Sequence, residues 1–510
     1  MCPECSEQDD DINAAGPPAA RTVLALLYGL VRCYPQSQAP TNFGSAVFLT
    51  MFLKSVFLLV VSIPLAIESS RVANLNVSES TVAKYNCKSA CNENFRAALA
   101  EDAASFGSTF DEDFYATAAN FSSSRPGELL KSNPISPSLL SEIPSGTSAY
   151  RFQYVTEDIH GTSTAATGFV VFPYANRTGG HLYHAIAYAH GTSGVFRGCA
   201  PSAMPDLYDY GSWSLLLERG YAIVATDYAG LGNNHTAHQY IASPAQANDL
   251  YYSVAAVRKV FGSNLSNQWM GVGHSQGGGA VWALAESSLI RDDPLGVGRY
   301  VGTVAQAPAV RVKEMAMLAY EMAMNSSSDV DSDRGVLGEL GWVVFGLRSI
   351  APNISQSWIK PMFRKRLELA ELAQACYKSM ESLVADLKID DVVDISNPNA
   401  FGVLDGLQNL TARGRHESSQ PILVVQGQED VSVLPEVVEG SYKASCQSGN
   451  DIRLQLYPGL DHTPLIKAST PYFLQWIDDR FGRVKTSGGC SNETIRPFDP
   501  ANMYAPPDPD

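Results

Sequence analysis

One stretch near the middle of the chain constrains the fold most strongly. In residues 268–285 a short apolar run meets Gly273-His274-Ser275-Gln276-Gly277, and a helical pattern of small residues follows. This succession predicts a strand, a very tight turn and a helix, with Ser275 in the turn. Glycines are needed two residues before and two after the serine because so tight a turn leaves no room for a Cβ. We therefore expect Ser275 at the tip of a sheet, with its hydroxyl exposed.

The pattern Gly-x-Ser-x-Gly is weak evidence on its own, because the chain has 40 glycines in 510 residues. The alternative interpretation is a glycine-rich turn with no chemical role.

The composition of the chain limits the class of protein. Its 45% hydrophobic and 17% charged residues indicate a globular protein with ample core. The length fits one large α/β domain with insertions. The net charge of −16 argues against nucleic acid or an anionic membrane surface as partner.

Residues 51–70 have the pattern of a secretory signal. Met51-Phe-Leu-Lys54 supplies a short basic start, and a compact apolar run continues to Ala66. We expect cleavage between Ile67 and Ser70. Because the signal pattern begins at Met51, we expect the chain to start there, with residues 1–50 an extension of the gene model or a leader. The alternative is a signal anchor spanning residues 47–66, which would carry Lys54 inside it. Secretion is the favoured interpretation.

Cysteine usage and glycosylation sequons agree with export. Beyond the leader the cysteines form an even, widely spaced set without a CxxC pair, which predicts disulfides rather than zinc. These cysteines are Cys87, Cys91, Cys199, Cys376, Cys446 and Cys490. Sequons begin at Asn76, Asn120, Asn176, Asn234, Asn264, Asn325, Asn353, Asn409 and Asn492. Together with the signal, they predict a disulfide-bonded secreted glycoprotein.

Strand-like and helix-like segments alternate along most of the chain, which predicts a mostly parallel central sheet flanked by helices. We assign residues 71–308 to an N-terminal extension and the first part of this core. Residues 309–400 are helical without a clear strand, and their position after the serine turn suggests an inserted cap or lid. The core resumes over residues 401–484, and residues 485–510 form a surface tail.

A serine hydroxyl needs a base, and the base needs a carboxylate that fixes its tautomer. His462 follows the last predicted strand, and Asp430 ends the apolar strand before it. The order serine, acid, histidine is the one expected after such a turn. We predict the triad Ser275, Asp430 and His462. Glu429 is the nearest rival for the acid, and Asp461 is interpreted as a local cap of His462.

An oxyanion hole should combine the backbone N–H of Gln276 with a donor from residues 191–194. Thr192 is our choice in that loop and Ser193 is the next candidate, although the loop could also be a turn that merely needs glycine. The spaced pairs His181 with His184 and His235 with His238 are interpreted as solvated loop histidines. No metal ligand or cofactor is therefore predicted.

Several motifs resemble those of the fungal and bacterial secretory lipase family over about residues 80–485. They are Cys199-Ala-Pro-Ser202, Arg219-Gly-Tyr221, Thr226-Asp-Tyr228, Gly273–Gly277, Lys443-Ala-Ser-Cys446 and Tyr457-Pro-Gly-Leu-Asp-His462. The first is the most specific. The resemblance implies an α/β-hydrolase fold with a helical cap and an acyl tunnel, and a triad at Ser275, Asp430 and His462.

The resemblance also implies three disulfides, which join Cys199 to Cys376, Cys446 to Cys490, and Cys87 to Cys91. One departure concerns the loop before Cys199. A member of the family has an acidic oxyanion residue there, whereas this chain has His190-Gly-Thr-Ser-Gly194.

The sequence thus predicts a secreted serine hydrolase, a lipase or carboxylesterase acting on acylglycerol-type esters without a cofactor. Its expected partner is a small-molecule or lipid ester, with contact to a lipid interface, and we expect a monomer. The alternatives are a serine peptidase or acyltransferase on the same fold, or a non-catalytic surface protein.

Overall fold

The computed structural model describes residues 72–506, apart from residues 108–109, 178, 326–331 and 395. The predicted signal at 51–70 and the extension 1–50 lie outside the described residues. In the described part of the chain, ten strands form one sheet. The strands are β1 (Leu129–Pro134), β2 (Ser148–Glu157), β3 (Ser163–Phe172), β4 (Tyr183–Ala189), β5 (Ala222–Thr226), β6 (Leu265–His274), β7 (Arg299–Gln306), β8 (Ile422–Gly427), β9 (Ile452–Tyr457) and β10 (Cys490–Thr494).

The sheet order is β1-β2-β3-β5-β4-β6-β7-β8-β9-β10. Strands β1, β2 and β3 pair antiparallel, as do β3 and β5. All pairs from β5 to β10 are parallel. This is the mostly parallel sheet that the alternating pattern predicts, and the α/β class is confirmed.

Helices connect the parallel strands and cover both faces of the sheet. They are α1 (Glu79–Val82), α2 (Ser89–Ser105), α3 (Glu112–Tyr115), α4 (Ser214–Glu218), α5 (Ser243–Phe261), α6 (Gln276–Ala285), α7 (Ser288–Asp292), α8 (Val312–Asn325), α9 (Ser332–Ile350), α10 (Pro361–Ala373), α11 (Tyr377–Ser382), α12 (Ile389–Val392), α13 (Pro398–Thr411), α14 (Pro435–Gln447) and α15 (Pro464–Phe481). No helix in the described ranges combines the length and apolar character needed to cross a bilayer.

Strand β4 shows how the core is built. Its Ile186 and Tyr188 belong to the apolar cluster that also contains Trp213, the residue before α4, and Ile477 of α15. Ala187, on the opposite face, belongs to the cluster that contains α5 and α6. Both faces of the strand are buried, as expected for a parallel sheet covered by helices. The small alanine side chains let α6 approach the sheet closely.

The predicted helical insertion corresponds to α8–α13, which lie between β7 and β8. The series continues to Thr411, so α13 crosses the predicted boundary at residue 400. Two other elements differ from the sequence interpretation. β1 lies within residues 71–145, the extension for which the sequence predicts helical pieces and loops. The sequence pattern predicts the last helix over residues 472–481. α15 instead begins at Pro464 and continues through Pro471, although a proline usually ends a helix.

Three disulfides tie these parts together: Cys87–Cys91, Cys199–Cys376 and Cys446–Cys490. The second links the loop after β4 to the start of α11 in the insertion. The third ties α14 to β10, the strand formed by the predicted tail.

We predict that replacing both Cys199 and Cys376 with serine lowers the free energy of unfolding by about 3–5 kcal/mol. The bond closes a 177-residue separation, and a longer closed loop restricts the unfolded chain more. Urea unfolding followed by tryptophan fluorescence measures the loss. The matched pair Cys446→Ser and Cys490→Ser spans 44 residues and should lose about 1 kcal/mol less. Equal stability of the Cys199/Cys376 variant and the native chain would contradict this account.

Candidate active site

Ser275 lies at the turn between β6 and α6 with φ 57° and ψ −122°. Its N–H donates to the Gln306 carbonyl at 2.9 Å, and its own carbonyl accepts from the Ala309 N–H at 2.9 Å. A left-handed φ is costly for a residue with a Cβ and persists only where its surroundings impose it. Here the end of β7 and the residues after it hold both peptide groups of the serine.

The flanking glycines are required by close contact. A Cβ on Gly273 would lie 2.4 Å from the Gly277 carbonyl oxygen, and a Cβ on Gly277 would lie 1.9 Å from that of Ala189. No side chain tolerates such distances to backbone atoms. The spacing of the sequence motif therefore follows from how closely α6 approaches β4 and β6.

His462 and Asp430 are in direct contact. Asp430 follows β8 and His462 follows β9, and His462 Nδ1 donates to Asp430 Oδ2 at 2.8 Å. The same carboxylate accepts from Gln426 Nε2 at 2.9 Å and from the N–H groups of Ser432 and Val433 at 3.0 and 2.7 Å. Because a carboxylate only accepts, His462 Nδ1 carries the hydrogen of this bond.

The two rival acids lie in different environments. Glu429 is exposed, whereas Asp430 is 2% exposed. Asp461 Oδ1 accepts from the backbone N–H of His462 at 2.8 Å, so it caps the loop locally.

Ser275, His462 and Thr192 line one cavity of about 240 Å³. Five aromatic side chains and Met204 form part of the wall, and three carboxylates and Lys378 lie among polar residues of the rest. The described residues that line it also include Phe106, Met204, Tyr208, Tyr210, Trp342, Tyr377, Asp102, Asp206 and Glu339. The cavity thus exposes the serine to a surface that can hold an apolar or aromatic group.

The two residues predicted for the oxyanion hole belong to different elements of the fold. Gln276 is the first residue of α6, where backbone N–H groups have no intrahelical acceptor. Thr192 lines the cavity, and its Oγ1 is 2.8 Å from Tyr240 Oη. Ser193 is fully buried and is not among the described lining residues. Of the two candidates in this loop, Thr192 has the better position.

Two histidines beside the cavity are buried and neutral. Burial lowers the pKa of His190 to about 4. Burial, and then the neighbouring His462, hold the pKa of His274 well below its usual value. The rings of His274 and His462 are 4.5 Å apart, and His274 Nδ1 lies 3.1 Å from Tyr210 Oη. These histidines pack and orient the residues around Ser275.

The interpretation of the paired histidines as solvated is wrong for two of them. His238 is 2% exposed, and its Nδ1 donates to the Ala229 carbonyl at 3.0 Å. His184 lies in β4, where its ring stacks on Phe481. The mostly polar residues around His238 do not indicate its burial, whereas His184 stands at the start of the apolar run of β4 and is half-buried. Among the described residues no group of His, Cys, Asp or Glu has a geometry suited to a metal ion.

A buried carboxylate explains why two motifs occur together. Asp227, at the end of β5, accepts from the Ser202 N–H at 2.8 Å, from Ser202 Oγ at 2.5 Å and from Thr167 Oγ1 at 2.7 Å. Burial nevertheless raises the pKa of Asp227 to about 6. Thr226-Asp-Tyr228 thus anchors Cys199-Ala-Pro-Ser202, the segment that follows the Thr192 loop.

The fold and the site together define an α/β-hydrolase. The family described as Hydrolase_4, serine aminopeptidase S33, matches residues 208–467, which is half of the chain and contains Ser275, Asp430 and His462. The chain belongs to this family.

The individual relatives and similar structures have low sequence identity to this chain. A secreted triacylglycerol lipase of Malassezia globosa is 24% identical over 411 residues, which are 76% of this chain and 82% of that protein. The structure of Candida antarctica lipase A is similar with a TM-score of 0.61 at 16% identity, covering 78% of this chain and 90% of that one. The rice cell wall degrading esterase LipA from Xanthomonas oryzae has a TM-score of 0.55 at 16% identity, covering 70% of this chain and all of that one. The expected lipase-like α/β-hydrolase is confirmed.

We predict that the stability difference between the native chain and Asp227→Asn depends on pH. A folded-state pKa of about 6, against about 4 when unfolded, means that the folded chain keeps a proton that the unfolded chain has lost. The stability of the native chain relative to the variant should therefore fall by about 3 kcal/mol from pH 3.5 to pH 7. Urea unfolding at several pH values measures it. A difference that rises with pH would mean that the three hydrogen bonds outweigh burial.

Proposed function

We propose that this protein hydrolyses carboxylic esters with Ser275 as nucleophile, His462 as base and Asp430 as the group that orients the base. One observation carries the proposal. Ser275, in a left-handed turn, faces the same cavity as His462, whose Nδ1 is held by Asp430 at 2.8 Å. That hydrogen bond holds His462 in the tautomer whose Nε2 can accept a proton.

The chemistry follows the usual acyl-enzyme sequence. Ser275 Oγ attacks the ester carbonyl while His462 Nε2 takes the hydroxyl proton, and His462 then gives that proton to the leaving alcohol. The N–H groups of Gln276 and Thr192 stabilise the negative charge on the carbonyl oxygen. Water, deprotonated by His462, attacks the acyl-enzyme, releases the acid and restores Ser275. Asp430 stabilises the histidine while it is charged.

Acylglycerol-type esters are the proposed substrates. Phe106, Met204 and Trp342 give the cavity an apolar surface beside Ser275, which suits an acyl chain. The relative from Malassezia globosa is named a triacylglycerol lipase, and a lipase and an esterase are among the similar structures. These names support an ester-cleaving role for this chain.

We also propose that the protein is secreted. The relative is described as secreted, and three disulfides suit an oxidising compartment. Sequon asparagines in the described residues lie at the surface, where they could carry glycans. Those exposed are Asn76, Asn120, Asn234, Asn264, Asn353, Asn409 and Asn492.

A second candidate is an aminopeptidase, which the family description suggests. Asp206 and Glu339 line the cavity and could pair with the ammonium group of a peptide N-terminus. The two functions share Ser275 and differ in the bond that is cleaved.

We predict that Asp430→Asn lowers kcat for p-nitrophenyl butyrate by about 10³–10⁴-fold, because an amide at this position stabilises the wrong histidine tautomer. Ser275→Ala should lower it at least as far. Initial rates at saturating substrate measure both effects.

The matched control is Glu429→Gln, the same change of charge one residue earlier on an exposed side chain. It should stay within about twofold of the native chain. Equal activity of Ser275→Ala and the native chain, or a loss in Glu429→Gln as large as in Asp430→Asn, would refute the triad.

We predict that activity extends from short to long p-nitrophenyl esters and to emulsified triacylglycerol, and that it depends on Ser275 throughout. The apolar cavity wall should accept longer acyl chains. The same panel includes aminoacyl p-nitroanilides. Activity limited to short chains would leave an esterase, whereas faster cleavage of the anilides would favour the aminopeptidase.

A further inference from the structure

One short segment contacts both residues assigned to the oxyanion hole. Residues 238–240 follow β5 and precede α5. His238 Nε2 lies 3.2 Å from Gln276 Nε2, and Tyr240 Oη lies 2.8 Å from Thr192 Oγ1. His238 is 2% exposed and Tyr240 is 4% exposed, so both contacts are shielded from water.

The direction of the first contact can be assigned. His238 Nδ1 faces the Ala229 carbonyl at 3.0 Å and must donate to it. Burial lowers the pKa of His238 to about 4, so the ring is neutral at neutral pH and its Nε2 accepts. The Gln276 amide therefore donates to His238, and the ring of His238 stacks on Tyr228. This fixes the side chain of the residue whose backbone N–H faces the oxyanion.

The second contact restrains Thr192 in the same way. Tyr240 binds the Thr192 hydroxyl, while Tyr208 Oη donates to the Thr192 carbonyl. With its side chain and its carbonyl both held, the Thr192 residue has little freedom to rotate. An oxyanion donor is effective only if its N–H group keeps its position to within a few tenths of an ångström.

We propose that His238 and Tyr240 are positioning residues that hold the two oxyanion donors, and that the helical insertion contacts the oxyanion hole through them. This inference rests on the proposed function. Neither residue touches the reacting atoms; His238 acts through Gln276 and Tyr240 acts through Thr192.

The contact with the insertion is made by α9. A Cβ on Gly346 would lie 2.7 Å from the Tyr240 carbonyl oxygen, and the ring centroids of Tyr240 and Trp342 are 6.2 Å apart. Ser349 Oγ donates to the Ala237 carbonyl at 2.9 Å. A shift of α9 therefore moves the segment that holds Thr192 and Gln276.

The backbone after Tyr240 is strained. Ile241 has φ 54°, a conformation that is a genuine outlier for a β-branched residue. Strain of this kind persists only where the surroundings over-determine it, and it concentrates near functional sites. It indicates that the position of Tyr240 is imposed by packing.

The direct test compares Tyr240→Phe with Tyr300→Phe. Both tyrosines are buried, and each loses one hydroxyl bonded to a threonine Oγ1, at 2.8 Å for Tyr240 and 2.6 Å for Tyr300. Tyr300 bonds to Thr303, in β7. We expect Tyr240→Phe to lower kcat on p-nitrophenyl butyrate about 10-fold with KM within twofold, and Tyr300→Phe to leave both unchanged. Urea unfolding should show similar losses of stability in the two variants.

A transition-state analogue separates positioning from a general structural effect. An alkyl boronic acid forms an anionic tetrahedral adduct with an active serine and needs the same donors. Its affinity should fall in Tyr240→Phe and His238→Phe by the same factor as kcat/KM, and stay unchanged in Tyr300→Phe. Unchanged boronate affinity together with lower kcat would overturn the proposal.

The link to the insertion is tested with glycine variants. Gly346→Ala introduces a Cβ against the Tyr240 carbonyl, whereas Gly406→Ala in α13 meets no atom within 4 Å. We expect Gly346→Ala to lower kcat about 5- to 10-fold and Gly406→Ala to leave it unchanged. Equal rates in the two variants would overturn the link.

The outcomes also separate this inference from the proposed function. Failure of the native chain itself to hydrolyse esters or bind the boronate would count against the proposed function. An active native chain with fully active variants would overturn only this inference.

Discussion

The close approach of α6 to the sheet is the constraint on which the site depends. Gly277 packs so tightly on the Ala189 carbonyl that a Cβ there would lie 1.9 Å from it. This contact brings the N-terminus of the helix to the end of β6, and Ser275 between them has a left-handed φ of 57°. The packing of the core therefore exposes the serine, and it also strains the backbone at Ser275. Ser275 lines the cavity as a result.

Burial then sets the protonation states around the serine. His190, His238 and His274 are buried and neutral, so they can hold neighbours without competing for the proton of Ser275. His462 differs because Asp430 accepts from its Nδ1. One histidine beside the serine is thus paired with a carboxylate, as a general base requires.

The sequence predicted those parts of the site that lie at strand ends. Ser275, Asp430 and His462 each follow an apolar run, and their order along the chain matched a known arrangement. His238, Tyr240 and Asp227 could not be recognised in this way. Their partners lie 25–60 residues away, and nothing in a polar local sequence indicates that a histidine will be buried. The start of α15 was not predicted, because the helix continues through Pro471 in the packed structure.

The central claim is that Ser275 is the nucleophile. Its most direct test is labelling of the intact protein with a fluorophosphonate, followed by mass spectrometry of the tryptic peptides. The account predicts a single adduct on Ser275, formed in the native chain and lost in His462→Ala, because the serine reacts only when its base is present. No adduct in the native chain, or an adduct on another serine, would contradict the assignment.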